Sequence, residues 1–260
     1  MRAIWSGAVS FGLINIPVKL YVAAEDKGPD LKMLRRQDLC PIRYARVCRD
    51  TGEEVPYEEI VKGYEYKRGD YVVLEDEDFR RANAVRTQTI DIVEFVDAGE
   101  IDVRYFEKPY YLEPTKQARN AYAILREALK KTSRVGVGTF VLRNRERLIA
   151  LKPEDDLIVL EEMRFADEIR SPAGLNLPSK DEASERELDI AIKLIDQLAE
   201  PFKPEQFHDS YKEELRRVVE QKIKGKPPQA PREAPAPTEV ADLMAKLRES
   251  LEHARKRKTA

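Results

Sequence analysis

Catalysis needs a nucleophile, an acid or base, or a metal ligand held at a workable spacing, and this sequence carries few such groups. Its two histidines, His208 and His253, both fall in the helical C-terminal part with no second histidine or cysteine one turn away. Each reads as a helix-surface residue. No phosphate-cradling G-x-x-x-x-G-K-[ST], dinucleotide-binding G-x-G-x-x-G or nucleophile-elbow G-x-S-x-G occurs. Gly136 and Gly138 in VGVGTF lie inside a strand pattern, where glycine marks a bulge or a close backbone approach. Cys40 and Cys48, in CPIRYARVC, are too widely spaced for the paired ligands of structural zinc and have no third or fourth ligand nearby. The acidic run Glu75 to Asp78 ends a strand and caps the short helix DEDFRRA, with acid at its positive end. Neither a catalytic group, a metal nor a cofactor is expected, which points to binding. The rival is a metal-dependent nucleic-acid enzyme using Glu75, Asp76 and Asp78, or a protein-interaction scaffold with basic segments.

Charge is the more telling signal. The net charge of −2 hides strong segregation. From Leu31 to Asp50, Lys32, Arg35, Arg36, Arg43, Arg46 and Arg49 outnumber Asp38 and Asp50. From Arg126 to Arg147, Arg126, Lys130, Lys131, Arg134, Arg143, Arg145 and Arg147 face only Glu127 and Glu146. Acid gathers instead between Glu154 and Glu168. One basic surface on a nearly neutral protein can attract phosphates while the acidic surface stays in solvent. In VKGYEYKRGDYVVLEDEDF, Lys62, Lys67 and Arg68 are interleaved with Tyr64 and Tyr66, a pattern suited to a nucleic-acid backbone.

The elements that must position these residues follow from periodicity. The opening MRAIWSGAVSFGLINIPVKLY alternates apolar and polar residues, changing phase between Leu13 and Ile14. It predicts one long bent strand over 8–22 rather than a cleaved signal, whose apolar run would be unbroken. Further strands are predicted at 71–75, 89–96, 103–112, 135–142, 147–152 and 156–163, with a helix capped by Thr115 in which Ala118, Ala121, Tyr122, Leu125 and Leu129 share a face. Amphipathic helices are predicted over 182–199 and 204–223. GKPPQAPREAPAPT then reads as a semi-rigid linker, followed by a short helix with Val240, Leu243, Met244, Leu247 and Leu251 in one stripe and a basic end, Arg255 to Lys258. With 260 residues, 42% hydrophobic, two cysteines and no run approaching a membrane span, a cytoplasmic protein without a membrane partner is expected.

RAIWSGAVSFGLINIPVKLY, VCRDTGEEVPYEEIVKGYEYKRGDYVVLEDEDF, and YYLEP before AYAILREAL resemble, in order, the bacterial Ku proteins of non-homologous end joining. The likeness covers residues 1 to about 224, and EVADLMAKLRESL resembles the family's tail motif. It implies a mixed β and α protein: a Ku-type β-barrel core over 1–170 with a DNA-encircling bridge, and a helical arm over 171–224. A proline-rich linker over 225–238 and a terminal helix and basic tail over 239–260 complete the chain. Two copies would form a homodimeric ring that threads double-stranded DNA ends and recruits ligase D, without catalytic activity of its own. Thr51 stands where many members of that family have a second cysteine, which argues against a bound metal. By approximate alignment, the DNA contacts are expected among Arg35, Arg36, Arg43, Arg46, Lys62 and Lys67, together with Arg134, Arg143, Arg145 and Arg147. Leu243, Met244, Leu247 and Leu251 are expected to meet a partner, and the acidic stretch after residue 153 is expected on the outside.

Overall fold

The phase change at Leu13 and Ile14 is a hairpin rather than a bend. β1 (Trp5–Phe11) and β2 (Ile14–Val22) pair antiparallel, with Phe11 opposite Ile14 and Gly12 and Leu13 as the turn. Gly12 has φ +58°, the left-handed value that a two-residue II′ hairpin asks of its first central position. A two-residue turn sets Phe11 opposite Ile14 and so shifts the alternation by one residue, as a bulge also does, and the sequence pattern could not separate a turn from a kink. Pro17 costs the β1–β2 ladder nothing. It faces Ala8, whose N–H points away to the Gln88 carbonyl, so no bond from residue 17 is required there.

The computed structural model describes residues 1–25, 27–83, 88–179, 182 and 184–225. They divide into two compact units, Met1–Ser171 and a second beginning at Pro172. In the first, β3 (Lys62–Lys67), β4 (Asp70–Leu74), α1 (Asp76–Asn83), β5 (Thr89–Asp97), β6 (Phe106–Pro114), α2 (Arg119–Thr132), β7 (Arg134–Leu142), β8 (Arg145–Glu154) and β9 (Leu157–Met163) follow β1 and β2. The strands close into a barrel in the order β1, β2, β6, β9, β8, β7, β5. Its seams are antiparallel except the closing one, where β1 runs parallel to β5.

Alternate residues of each strand point inward and fill the barrel: Ile16, Val18 and Leu20 from β2, Phe140 from β7, Ile149 and Leu151 from β8, and Ile158 and Leu160 from β9. Trp5 meets Phe140 edge to face, with ring centroids 5.8 Å apart. Gly138 is required where β5 carries an extra residue, Val93, between the Ile92 and Glu94 pairings. A Cβ at 138 would collide with the Asp91 carbonyl oxygen, so the close approach expected from VGVGTF is present.

α2 adds Tyr122, Leu125 and Leu129 to the same core. Thr115 does not cap it. A 3-10 turn over Lys116–Ala118 intervenes, and no side chain caps the helix start. The Tyr122 hydroxyl donates to the Leu112 carbonyl at 2.8 Å and accepts from the Ile158 amide at 2.6 Å, bridging β6 and β9 where their ladder ends. Arg126 donates to the Asp156 carbonyl at 2.6 Å and Lys130 to that of Asp155, so two basic residues of α2 bind the β8–β9 turn.

Between β2 and β5 the chain leaves the barrel over residues 23–88. Almost every described residue there is exposed, apolar ones included. Among its described residues the β3–β4 hairpin is the one sheet, and isolated bridges join Leu34 to Pro41 and Val47 to Glu54. Asp78, in the first turn of α1, accepts from the Glu75 amide at 3.0 Å, the returning bond of a capping box.

The second unit contains α3 (Glu185–Leu198) and α4 (Ser210–Ile223). Ser184 caps α3 by accepting from the Glu187 amide, and Asp209 caps α4 by accepting from the Lys212 amide. On α3, Leu188, Ile192, Ile195 and Leu198 are exposed. The expected linker beyond Gly225 and the terminal helix with Leu243, Met244, Leu247 and Leu251 lie outside the described residues.

Candidate nucleic-acid interface

The basic residues singled out from the sequence fall on two structural parts. Arg35, Arg36, Arg43, Arg46, Lys62 and Lys67 belong to the excursion over 23–88, while Arg134, Arg143, Arg145 and Arg147 belong to the barrel. On the excursion most cations are tethered yet remain in water. Arg35 makes a two-pronged ion pair with Asp38, and Arg43 lies 3.7 Å from Glu54. Arg46 covers the Tyr57 ring at 5.1 Å, and the Lys62 ammonium sits 4.5 Å over the Phe79 ring. Lys67 pairs in register with Asp70 at the end of the exposed hairpin. The hydrogen bonds from Arg35 hold the Asp38 carboxyl below the ordinary carboxylate range, so this exposed pair is charged at neutral pH.

The excursion also holds both cysteines, each a free thiol. Backbone and side-chain hydrogen bonds from Thr51, with a further backbone bond at Asp50, lower the Cys48 thiol from its usual value. Among the described residues no group of three or more His, Cys, Asp or Glu is placed to hold a metal ion.

The barrel cations do not share one face. β7 separates Arg134 from Arg143 by a strand of 9 residues, on the order of 30 Å. Arg134 lies at the α2 end, donating to the Phe95 carbonyl at 3.2 Å with Asp97 at 3.9 Å. Arg143 and Arg145 flank the opposite end, in the β7–β8 turn. That turn has two central residues, Arg143 at φ +53° and Asn144 at φ +63°. Both are in the left-handed region demanded by a I′ hairpin, and an arginine pays strain there that Gly or Asn largely avoids. Arg143 and Arg145 are exposed and form no ion pair among the described residues.

Arg147 is placed differently from its neighbours. It points inward with Ile149 and Leu151, and its guanidinium lies 2.8 Å from Glu162. Glu162 is 5% exposed, which corrects the expectation that the acidic stretch lies wholly outside. On β9 it is in phase with Ile158 and Leu160, so alternation carries it into the barrel mouth. Its second carboxylate oxygen accepts from the Tyr110 hydroxyl at 2.9 Å. Burial, followed by this bond to an anion, drives the Tyr110 phenol well above its ordinary value. Sequence reading passed over Tyr110, Glu162 and Lys108. The period-two spacing of Ile158, Leu160 and Glu162 was the available signal for the second.

A cavity of about 230 Å³ opens at this mouth, lined among others by Lys108, Tyr110, Arg143, Arg147 and Glu162. At the α2 end a larger groove of about 620 Å³ is almost wholly apolar, lined by Phe11, Ile14, Phe95, Ile124 and Leu125 among others and closed by Arg134. Cations at both ends of the barrel and along an exposed excursion can bind phosphates.

Residues 10–190 match the family model described as the Ku70/Ku80 beta-barrel domain. The chain is 43% identical over 254 residues to a non-homologous end joining protein Ku of Opitutus terrae, covering 96% of this chain and 91% of the relative. Its likeness to the protein of the same name from Bacillus subtilis is 38% over 259 residues, covering 98% and 83%, and to that from Archaeoglobus fulgidus 42% over 229 residues, covering 87% and 90%. A closed barrel interrupted by a long exposed excursion, matched by a barrel-domain model over most of its length and by relatives along nearly the whole chain, has one consistent reading: the chain belongs to the Ku family.

Proposed function

We propose that this protein binds the ends of double-stranded DNA without sequence preference, as a homodimeric ring acting in break repair by non-homologous end joining. The observation that carries the reading is the excursion over 23–88. It presents apolar side chains to solvent, Leu31 and Met33 in its first part and Tyr64, Tyr66, Tyr71 and Val72 on a hairpin with no core of its own. An isolated two-stranded sheet is marginal in water, so such a segment gains its order by packing on a second copy. Two excursions meeting over two barrels would enclose a channel, with Arg35, Arg36, Arg43, Arg46, Lys62 and Lys67 on the closing arch and Arg134, Arg143 and Arg145 on the barrels. Encirclement gives retention by topology: a closed ring leaves DNA only by sliding off an end. A few phosphate contacts then suffice, consistent with a net charge of only −2.

The relatives named for non-homologous end joining support the same role. The protein does no chemistry on the DNA. It recruits the end-joining ligase D through the C-terminal part, whose stripe of Leu243, Met244, Leu247 and Leu251 suits a helix-in-groove contact. It works in the cytoplasm at the nucleoid. Among the described residues no helix is long and apolar enough to cross a membrane.

The test compares one duplex in linear and covalently closed circular form, at fixed salt, with and without divalent metal. The linear form should bind and be retained, and the circle should compete poorly. Equal affinity for both forms sinks the ring, and metal-dependent cleavage would favour an enzyme.

A further inference from the structure

The mouth of the barrel at the β7–β8 turn combines four observations that packing alone does not explain. The turn itself is strained, with Arg143 and Asn144 both at positive φ. Two residues along from Arg145, Arg147 is ion-paired to the buried Glu162, while its Nε is buried with no hydrogen-bond partner among the described residues. Buried ion pairs are frequently no more stabilising than apolar side chains of the same volume, and their best-attested use is to fix one arrangement among several. The third observation is register: Lys108 of β6 stands opposite Glu162 of β9, and its ammonium lies 5.6 Å from the centre of the Tyr110 ring. The fourth is that Arg143 lines the same cavity as Tyr110, Arg147 and Glu162.

The charges at this rim do not cancel. Glu162 is engaged by Arg147 and by the Tyr110 hydroxyl, and Glu107 lies 3.8 Å from Arg164. Lys108 and Arg143 are left as two exposed cations on either side of one opening. A tetrahedral anion at the end of a flexible backbone is the ligand that two such cations suit, and a carboxylate this deep cannot compete for them while it is held from both sides.

We propose that Lys108 and Arg143 form a seat for one backbone phosphate of the bound duplex, and that Glu162 is its positioning residue, acting through Arg147 to hold the β7–β8 turn against β6. The ion pair fixes β8 two residues from the start of the strand, so the strained turn carries Arg143 to one place instead of several. Lys108 is thereby a DNA contact outside both basic segments of the sequence. The proposal rests on the DNA-binding reading above.

The experiment measures binding of a linear duplex against salt for the full chain and four variants. K108A/R143A should flatten the slope of log K against log salt by about 0.9, the contribution of one phosphate. Glu162→Gln keeps the shape and an acceptor for Tyr110, and the partly exposed Arg147 can turn to water, so the fold should survive. It should weaken binding roughly threefold to tenfold, the scale of one modest interaction, with the slope unchanged. Tyr110→Phe should act in the same direction and more weakly. In K108A/R143A/E162Q the Glu162 change should add no further loss, because the seat it positions is already gone. An unchanged slope in K108A/R143A overturns the phosphate seat. An equal further loss from Glu162→Gln in that background reduces Glu162 to a structural residue and overturns its positioning role. Failure of the end-binding reading is separate: it appears in the unaltered chain as equal binding of line and circle, whatever the variants do.

Discussion

The barrel and the excursion over 23–88 are built from equally ordinary residues and reach opposite outcomes. In the barrel, Phe140, Ile149, Ile158 and Leu160 are sealed from water, and the buried carboxylate of Glu162 is met by a tyrosine and an arginine. In the excursion, Tyr64, Tyr66, Tyr71, Val72 and Val73 stand in solvent, and Arg46 and Lys62 reach only the rings of Tyr57 and Phe79 within the same excursion. The difference lies in closure. A sheet that returns to its first strand shields one face completely, whereas a two-stranded hairpin shields neither. A closed barrel carries its own core, whereas a lone two-stranded hairpin is marginal in water.

The largest effect that would expose this contrast comes from the core. Phe140→Ala should cost about 3–5 kcal/mol, because it removes a fully buried ring from the centre of the barrel and its contact with Trp5. Chemical denaturation would measure it, and a loss below 1 kcal/mol would mean that the barrel tolerates a void its packing should not allow. Next comes Tyr122→Phe, which strips the Leu112 carbonyl and the Ile158 amide of their shared partner and should cost about 1–3 kcal/mol. The same site predicts a pH response. Burial raises the Tyr122 and Tyr110 phenols above the ordinary 10.0, so the folded state holds these protons more tightly than the unfolded chain. Their contribution is complete below pH 10 and is lost as pH rises beyond it. Thermal unfolding between pH 9 and about 11.5 should show a decline that Tyr110→Phe and Tyr122→Phe each make shallower.

The smallest effect on the barrel should come from the excursion. Changing Tyr64, Tyr66 and Tyr71 together to Ser should leave barrel stability within about 0.5 kcal/mol, since none of the three is buried. Self-association, followed by sedimentation at several concentrations, should instead weaken clearly. If the triple variant associates as tightly as the unaltered chain, the excursion is not where two copies meet, and the ring loses its arch.

Much of the architecture was legible because strand alternation is local. The stretches 89–96, 135–142 and 156–163 matched β5, β7 and β9 to within a residue or two, and the stripe of Tyr122, Leu125 and Leu129 placed α2 on the core. The Gly12 turn was missed because a two-residue hairpin and a bulge shift the phase of the alternation in the same way. The site was less legible. Charge counting grouped Arg126, Lys130, Arg134, Arg143, Arg145 and Arg147 as one basic segment. The fold assigns Arg126 and Lys130 to the β8–β9 turn, Arg134 to one end of the barrel, Arg143 and Arg145 to the other, and Arg147 to Glu162.

By itself, then, the sequence determined the family, the order of most strands and helices, and which faces are apolar, since each depends on a residue's type and on neighbours a few positions away. Only the tertiary structure decided what each charge does. A side chain's charge is a property of the residue, but its partner is a property of the register. Lys108 comes to stand opposite Glu162 across the β6–β9 seam, and Arg147 reaches it from β8, through pairings between strands that no spacing along the chain encodes.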